Sequence, residues 1–278
     1  MIYFRRLLSA MMVLSGWRCF ILIAMALWLP VQDGAAYGLY EAGFEQRANF
    51  FSRTFDTQYQ TSFHVRTIRP SGSYLLRVQR GVRFNQQGYQ LELESYPVFS
   101  DRFYGYIAYA YSGSEIFPRH RGGLELFSAL PLRLEGSLGM RYFDFDRGNE
   151  TVLVTASLSH YISSFMITVR PFFIFSEGGS GQTWLGSIRW FVNDRMDYLL
   201  IRGAVGRSSE ETLFQLGPDL VEDFLLLKSS QIGLEGHHHI TKRVSGLAGL
   251  TLYRQELSFD PGTYVNNWSV RAGIHLHW

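Results

Sequence analysis

The sequence has little charge, a single cysteine and no series of long apolar segments. Charged residues make up 18% of the 278 residues and the mean hydropathy is -0.03, whereas soluble domains contain roughly 25% charged residues. A helical membrane protein with several spans would need repeated apolar runs of about 20 residues, which are absent. Aromatic residues, at 16%, exclude a disordered chain. Together with 27 glycines and only 8 prolines, this composition favours an all-β chain and is compatible with an apolar surface that faces lipid.

The first 36 residues have the features of a signal peptide. Three arginines precede an apolar stretch at residues 19–29, and the small residues Gly34 and Ala36 occupy the −3 and −1 positions of a cleavage site. The apolar stretch is too short to be a permanent membrane span, although an uncleaved anchor is the alternative. We therefore predict a signal peptide at 1–36 and an outer membrane β-barrel domain at 37–278.

Cleavage would change both the charge and the chemistry of the chain. It removes three arginines and Asp33 from 26 basic and 24 acidic residues, which leaves a net charge near zero and gives no reason to expect nucleic acid as a partner. It also removes Cys19, the one cysteine, so disulfides are excluded. Only Lys228 and Lys242 are lysines, so nearly all of the basic residues are arginines. The rigid fork of the arginine guanidinium suits carboxylate and phosphate partners.

The C-terminal segment shows the clearest strand pattern. From Asn267 to Trp278 polar or small residues alternate with apolar ones, which include Ile274 and Leu276. Membrane-spanning strands of about ten residues alternate in this way, with apolar side chains toward lipid and polar ones toward the lumen. A last strand that ends with Ile274, Leu276 and Trp278 is similar to the signal that the barrel assembly machinery recognises.

The same alternation recurs upstream and predicts a transmembrane antiparallel β-barrel. Fourteen strands are expected, with twelve as the alternative, near residues 39–46, 57–68, 73–84, 88–96, 103–112, 120–129, 132–143, 151–160, 164–174, 183–192, 197–206, 224–236, 241–255 and 264–277. Short connections are expected to alternate with longer ones at 144–150, 175–182, 207–223 and 256–263. This alternation is typical of periplasmic turns and extracellular loops.

The middle of the chain resembles a known family. The segments that carry the resemblance are Ser95-Tyr96-Pro97, residues 117–126, residues 134–145, Arg170-Pro171-Phe172-Phe173 and Arg189-Trp190-Phe191. In order and spacing they are similar to the YaiO family of outer membrane β-barrel proteins, over roughly residues 88–206. The resemblance implies a barrel in the outer membrane of a Gram-negative cell envelope, in contact with lipids and lipopolysaccharide. It implies no reaction, and its one functional hint is an occasional link of relatives with glycan-handling genes.

The lumen-facing positions of the predicted strands are rich in arginine. Nine arginines are expected to face inward against four glutamates, and six of them are candidates for anion binding: Arg133, Arg141, Arg170, Arg189, Arg202 and Arg271. Salt bridges that simply fill the lumen are one interpretation; an anion-attracting conduit or pocket is the other. The acidic residues are Glu92, Glu94, Glu125 and Glu135, and the inward aromatics Tyr104, Tyr106 and Phe143 could stack on sugar rings or serve only packing.

No metal, cofactor or catalytic site is predicted. His237, His238 and His239 are interpreted as part of a solvated periplasmic turn, with weak metal binding as the alternative, and His275 and His277 as polar filling of the lumen. Ser159 and His160 are adjacent on a strand and point to opposite faces, so they do not form a catalytic pair. We therefore expect a barrel that assists the passage or binding of a surface glycan or small anion. A purely structural or adhesive barrel and a lipid-modifying enzyme are the alternatives.

Overall fold

The computed structural model describes residues 39–52, 56–83, 86–145, 149–176, 179–192, 197–208, 214–216, 221–224, 227–257 and 260–278. The predicted signal peptide and its cleavage site lie outside these residues. None of the described residues forms a helix long and apolar enough to cross a membrane.

Fourteen antiparallel strands close into one barrel within the described part of the chain. They are β1 (Leu39–Phe51), β2 (Gln58–Arg69), β3 (Gly72–Arg83), β4 (Gln86–Pro97), β5 (Phe103–Ser112), β6 (His120–Leu130), β7 (Leu134–Phe145), β8 (Asn149–Ile162), β9 (Phe165–Ser176), β10 (Gly179–Phe191), β11 (Tyr198–Ser208), β14 (Leu227–Thr241), β15 (Val244–Leu257) and β16 (Asp260–His277). Each barrel strand pairs with the next barrel strand along the chain, so that β11 pairs with β14, and β1 closes the barrel by pairing with β16. A separate hairpin, β12 (Phe214–Leu216) with β13 (Val221–Phe224), lies between β11 and β14. The predicted barrel of fourteen strands is confirmed.

The alternation of side chains explains why the sequence folds in this way. On β3, Leu76 and Val78 are exposed on the outer face, whereas Arg77 and Gln79, which alternate with them, are buried in the lumen. Because successive side chains of a strand point to opposite faces, one strand presents an apolar surface to lipid and polar groups to the interior. Trp278 directly follows the last strand.

The two chain ends of the barrel lie at the same end, as the even number of strands requires. In an outer membrane barrel this is the periplasmic end, where the connections are short turns. The turn between β6 and β7 corrects one expectation: Leu132 and Arg133 adopt positive φ values of 61° and 60°. The strand therefore begins at Leu134, and Arg133 is exposed in the turn instead of facing the lumen.

At the opposite end the strands are longer than predicted. β7 ends at Phe145 and β8 begins at Asn149, β9 ends at Ser176 and β10 begins at Gly179, and β15 ends at Leu257 and β16 begins at Asp260. These strands therefore extend into segments for which the sequence predicts loops. Pairing of β9 with β10, for example, continues to Ser176 and Gly179. Polar residues occur on both faces of these extensions, as in Ser180-Gly181-Gln182-Thr183, so the alternation that reveals a strand in lipid is missing. The loops expected at 144–150, 175–182 and 256–263 are therefore shorter than predicted, whereas the interval between Ser208 of β11 and Leu227 of β14 is long, as predicted.

Candidate functional site

Arg141 and Arg170 belong to one buried ion-pair network on β6, β7 and β9. Arg141 Nη2 lies 2.7 Å from Glu125 Oε2, and Arg170 Nη1 lies 2.7 Å from Glu125 Oε1. The Ser137 hydroxyl donates a further hydrogen bond to Glu125. Gly139 pairs with Glu125 across the sheet, and its missing side chain leaves the space that the Glu125 side chain fills. Both arginines face the lumen as predicted, and they share this one carboxylate as their ion-pair partner.

A second network lies on the adjoining strands β3, β4 and β6. Arg77 Nη1 contacts Glu92 Oε2 at 2.8 Å and Glu94 Oε1 at 3.1 Å. Gln79 donates to Glu92 at 3.0 Å, and Arg121 forms an ion pair with the same carboxylate. Because all of these side chains are buried, the network fills its part of the lumen and fixes the arrangement of its wall.

Arg271, the candidate on the last strand, is also held by carboxylates. Its guanidinium lies 2.6 Å from Glu45 Oε2 and 3.2 Å from Glu235 Oε2. His275 Nε2 lies 3.2 Å from the other oxygen of Glu45. These contacts connect β1, β14 and β16 where the barrel closes, which assigns Arg271 a place in the structural network.

The histidine run is not in a turn. His237, His238 and His239 belong to β14, which continues to Thr241. His237 and His239 face the lumen, whereas His238 is exposed on the outer face. Asp197 accepts hydrogen bonds from the backbone and ring of His239, both at 2.7 Å. The inward placement predicted for His275 and His277 is confirmed, since both are buried in the lumen.

A cavity of about 620 Å³ opens in the periplasmic half of the lumen. Side chains of β4 to β11 and of the turns that join them line it. Three arginines and one glutamate contribute the formal charges of the lining, namely Arg170, Arg189, Arg202 and Glu135; aromatic and hydroxyl groups supply most of the rest, among them Tyr104, Tyr161, Ser157, Ser159 and Ser187. The lining therefore combines net positive charge with flat apolar rings and hydrogen-bonding hydroxyls.

Arg189 and Arg202 are two of the candidates that the structure brings to this cavity. The Arg189 guanidinium lies 4.6 Å from the centre of the Tyr198 ring, over its face. Arg202 pairs with Gly233 across the sheet and lies over it, with Nε 3.2 Å from the position of a Cβ there. Both guanidinium groups are thus oriented by their neighbours on rigid strands.

Of the three aromatic residues considered for sugar stacking, one lines the cavity. Tyr104 is a lining residue, and its ring is stacked on Phe127 with centroids 4.6 Å apart. Tyr106 and Phe143 are 3% and 0% exposed and belong to two apolar clusters inside the barrel. These two residues serve packing, so only Tyr104 remains a candidate for contact with a ligand.

Several lumen groups were missed by the sequence reasoning. Glu41, Glu45, Glu235, Arg47 and Arg121 are all buried in the lumen, so the interior contains more acidic groups than the four expected. Strand parity alone could have found them: in Tyr40-Glu41-Ala42-Gly43-Phe44-Glu45 the charged residues alternate with apolar ones.

Comparisons with known proteins agree with this architecture. A family model described as "YaiO membrane beta barrel domain" matches residues 41–211, more than half of the chain. No curated protein matches the sequence significantly. Among solved structures, a bacterial polysaccharide outer membrane secretin has a TM-score of 0.58 at 8% identity, over 88% of this chain and 100% of that one; at that identity it shows the fold alone.

Two further solved structures have lower TM-scores. The outer membrane protein Omp33 of Acinetobacter baumannii has a TM-score of 0.49 at 11% identity, and an anion-selective porin from Comamonas acidovorans has 0.46 at 10% identity. Each likeness covers 86% of this chain and 99% of the other. Scores below 0.5 carry no argument about function.

Proposed function

Since this chain belongs to the YaiO family of membrane β-barrel proteins, we propose that its lumen binds an anionic glycan or small anion and assists its passage at the cell envelope. The protein is a β-barrel of the outer membrane. Binding would take place in the periplasmic cavity. We also propose that the barrel contacts outer membrane lipids and lipopolysaccharide, and that the barrel assembly machinery inserts it into the membrane.

The observation that carries the proposal is the lining of the cavity. Three arginines and one glutamate line it, and low-dielectric walls strengthen the attraction of a positive pocket for anions. Arginine forks bind carboxylate and phosphate groups through paired hydrogen bonds. Tyr104 and Tyr161, together with several serines, match the apolar faces and hydroxyl groups of sugar rings.

Arg189 and Arg202 are the residues that we assign to the anion. Both line the cavity, with Arg189 placed over the Tyr198 ring and Arg202 over Gly233. Arg141 and Arg271 lie outside the lining, and Arg170 is bound to Glu125. The likeness to the polysaccharide secretin is compatible with a glycan as the ligand of this barrel. The proposal itself rests on the lining of the cavity. We infer binding or passage and no catalysis, because the lining suits recognition of a charged sugar.

The experiment is a titration of the purified barrel in detergent with a hyaluronan tetrasaccharide, which carries carboxylates, and with inorganic phosphate. Neutral maltotetraose is the ligand control. Each charge-assisted hydrogen bond contributes about 1.5–3 kcal/mol, so the double variant Arg189→Gln/Arg202→Gln should weaken binding by at least about 100-fold. Arg80→Gln is the matched control, because Arg80 is exposed on the outer face and contacts Gln87.

Two results would speak against the proposal. If neither anion binds to the folded wild-type barrel, the purely structural barrel is the better account. If both anions bind equally well to the double variant, the ligand lies elsewhere and the assignment of the two arginines is wrong.

A further inference from the structure

Five histidines gather in the periplasmic half of the lumen, on the side where the barrel closes. They are buried or half-buried side chains of β2, β14 and β16: His64, His237, His239, His275 and His277. Their rings form a continuous chain of contacts. His275 lies 5.2 Å from His64 and 5.4 Å from His237, measured between ring centroids. None of these five residues lines the cavity described above.

Within this cluster Glu41, His64 and His275 place one ligand atom each within 4.8 Å of one another. All three residues are buried, and they come from three adjacent strands. Two imidazoles and a carboxylate form a donor set that suits first-row divalent transition metals. A tetrahedral zinc ion needs its ligand atoms roughly 3.4 Å apart, given zinc–ligand distances of about 2.0–2.1 Å. Small rotations of the three side chains would therefore bring their ligand atoms from within 4.8 Å of one another to the spacing that zinc requires.

Gly43 explains how the two imidazoles reach each other. It lies on β1 and pairs with His64 on one side and with His275 on the other. A Cβ at Gly43 would lie only 2.1 Å from Cε1 of His64. The absence of a side chain thus lets the His64 ring lie over the backbone of β1 and approach His275.

The hydrogen bonds of the imidazoles also suit a metal site. His64 Nε2 lies 3.0 Å from Glu41 Oε1, while His64 Nδ1 is buried and has no hydrogen-bond partner among the described residues. A buried polar atom without a partner is costly and calls for an explanation. His275 Nε2 lies 3.2 Å from Glu45 Oε1, and such a carboxylate orients a ligating imidazole and raises its basicity.

We propose that Glu41, His64 and His275 bind a divalent first-row transition metal ion, with Zn²⁺ as the best-matched probe. Two neutral imidazoles and one carboxylate would supply three ligands, and solvent the fourth. Arg66 Nη1 and His277 Nδ1 also approach the Glu41 carboxylate, at 3.9 Å and 3.7 Å. Mg²⁺ and Ca²⁺ are disfavoured because they prefer sites built from oxygen ligands. This site lies apart from the anion cavity and does not depend on the function proposed for it.

The test is a Zn²⁺ titration of the full-length barrel, purified in detergent and stripped of metal with a chelator, with a competing chelator to define the affinity. We expect one buried Zn²⁺ per chain, and visible absorption bands of four-coordinate Co²⁺ when cobalt replaces zinc. Loss of an outer partner of a metal ligand costs roughly 10–100-fold in affinity. His64→Ala and His275→Ala remove ligands themselves and should each weaken binding by more than about 100-fold.

Gly43→Ala is a second variant that leaves every proposed ligand in the chain. Its methyl group would displace the His64 ring, so it should weaken Zn²⁺ binding and abolish the cobalt bands. The matched control is Gly249→Ala, where the nearest atom to a new Cβ is 3.5 Å away. His238→Ala controls for exposed histidine, and heat-modifiable gel mobility confirms that each variant is folded.

Two outcomes would overturn the proposal. One is a folded wild-type barrel that binds no Zn²⁺ more tightly than exposed histidines do. The other is binding that survives in folded His64→Ala and His275→Ala but is lost in a His237→Ala/His239→Ala double variant, which would place the metal on the neighbouring histidines.

Discussion

Glu125 offers a quantitative test of the lumen network, because one buried carboxylate holds two arginines. Its side chain is 0% exposed, and those of Arg141 and Arg170 are 7% and 3% exposed. A single Arg170→Gln removes one charge-assisted hydrogen bond, worth about 1.5–3 kcal/mol, and leaves a neutral pair. The double variant Arg141→Gln/Arg170→Gln leaves a buried negative charge without a cation and should lower the free energy of unfolding by about 3–5 kcal/mol.

Adding Glu125→Gln to the double variant removes the uncompensated charge and should restore part of the loss, about 0.5–3 kcal/mol. Urea unfolding of the barrel in lipid vesicles, followed by tryptophan fluorescence, measures these differences. Arg80→Gln is again the control, because an exposed arginine contributes little. A double-variant loss below about 1 kcal/mol, as for a surface pair, would refute the reasoning, and so would further destabilisation on adding Glu125→Gln.

Three further predictions concern packing, assembly and topology. Gly139→Ala places a Cβ 2.9 Å from a backbone oxygen and should lower the free energy of unfolding, measured in urea, by about 1–3 kcal/mol. Gly122→Ala, where a Cβ would meet nothing within 4 Å, is the control and should leave it unchanged. Equal losses in the two variants would contradict the packing described around Gly139. Leu276→Asp should reduce heat-modifiable barrel in membranes, because a charge on the lipid face costs up to ~2–4 kcal/mol, less near the interface; an unchanged yield would show that this face is not in lipid. An epitope tag within residues 209–226 should be labelled on intact cells and one at Lys242 only after permeabilisation, and labelling in the reverse order would invert the topology.

The barrel could be predicted from sequence because the lipid imposes a period of two on every strand inside it. β16 is the clearest case: Trp268, Val270 and Ile274 are all exposed on the outer face. The pattern fails where the solvent changes. Beyond the membrane both faces of a hairpin are in contact with water, so the first residues of β10 and β16 contain no alternation and their sequence is typical of loops.

The candidate site was harder to predict because strand parity gives the face of a residue but not its partner. Five of the candidate arginines do face inward: Arg141, Arg170, Arg189, Arg202 and Arg271. The groups that each of them contacts depend on strands that lie far apart in the sequence. Glu125 reaches its arginines across two neighbouring strands, and no local pattern encodes such a distance. The proposed metal ligands illustrate the same limit.

The contribution of His64 to that site shows the difficulty in detail. It is separated from His275 by most of the chain, and the two meet only because β1 closes the barrel between them. The predicted inward placement of Arg133 is wrong for a local reason. The turn before β7 contains two residues in the left-handed region, Leu132 and Arg133, and neither is glycine.

The positive potential of the periplasmic cavity is the central claim, and thiol labelling measures it directly. Once Cys19 is removed with the predicted signal peptide, a Ser187→Cys variant carries a single thiol in the cavity lining. Its reaction rate with an anionic methanethiosulfonate reagent is compared with that of a cationic one, and both are normalised to an exposed Ser71→Cys variant. The account predicts faster reaction with the anionic reagent, and loss of that preference in the Arg189→Gln/Arg202→Gln background. Equal rates, or a preference for the cationic reagent, would contradict it.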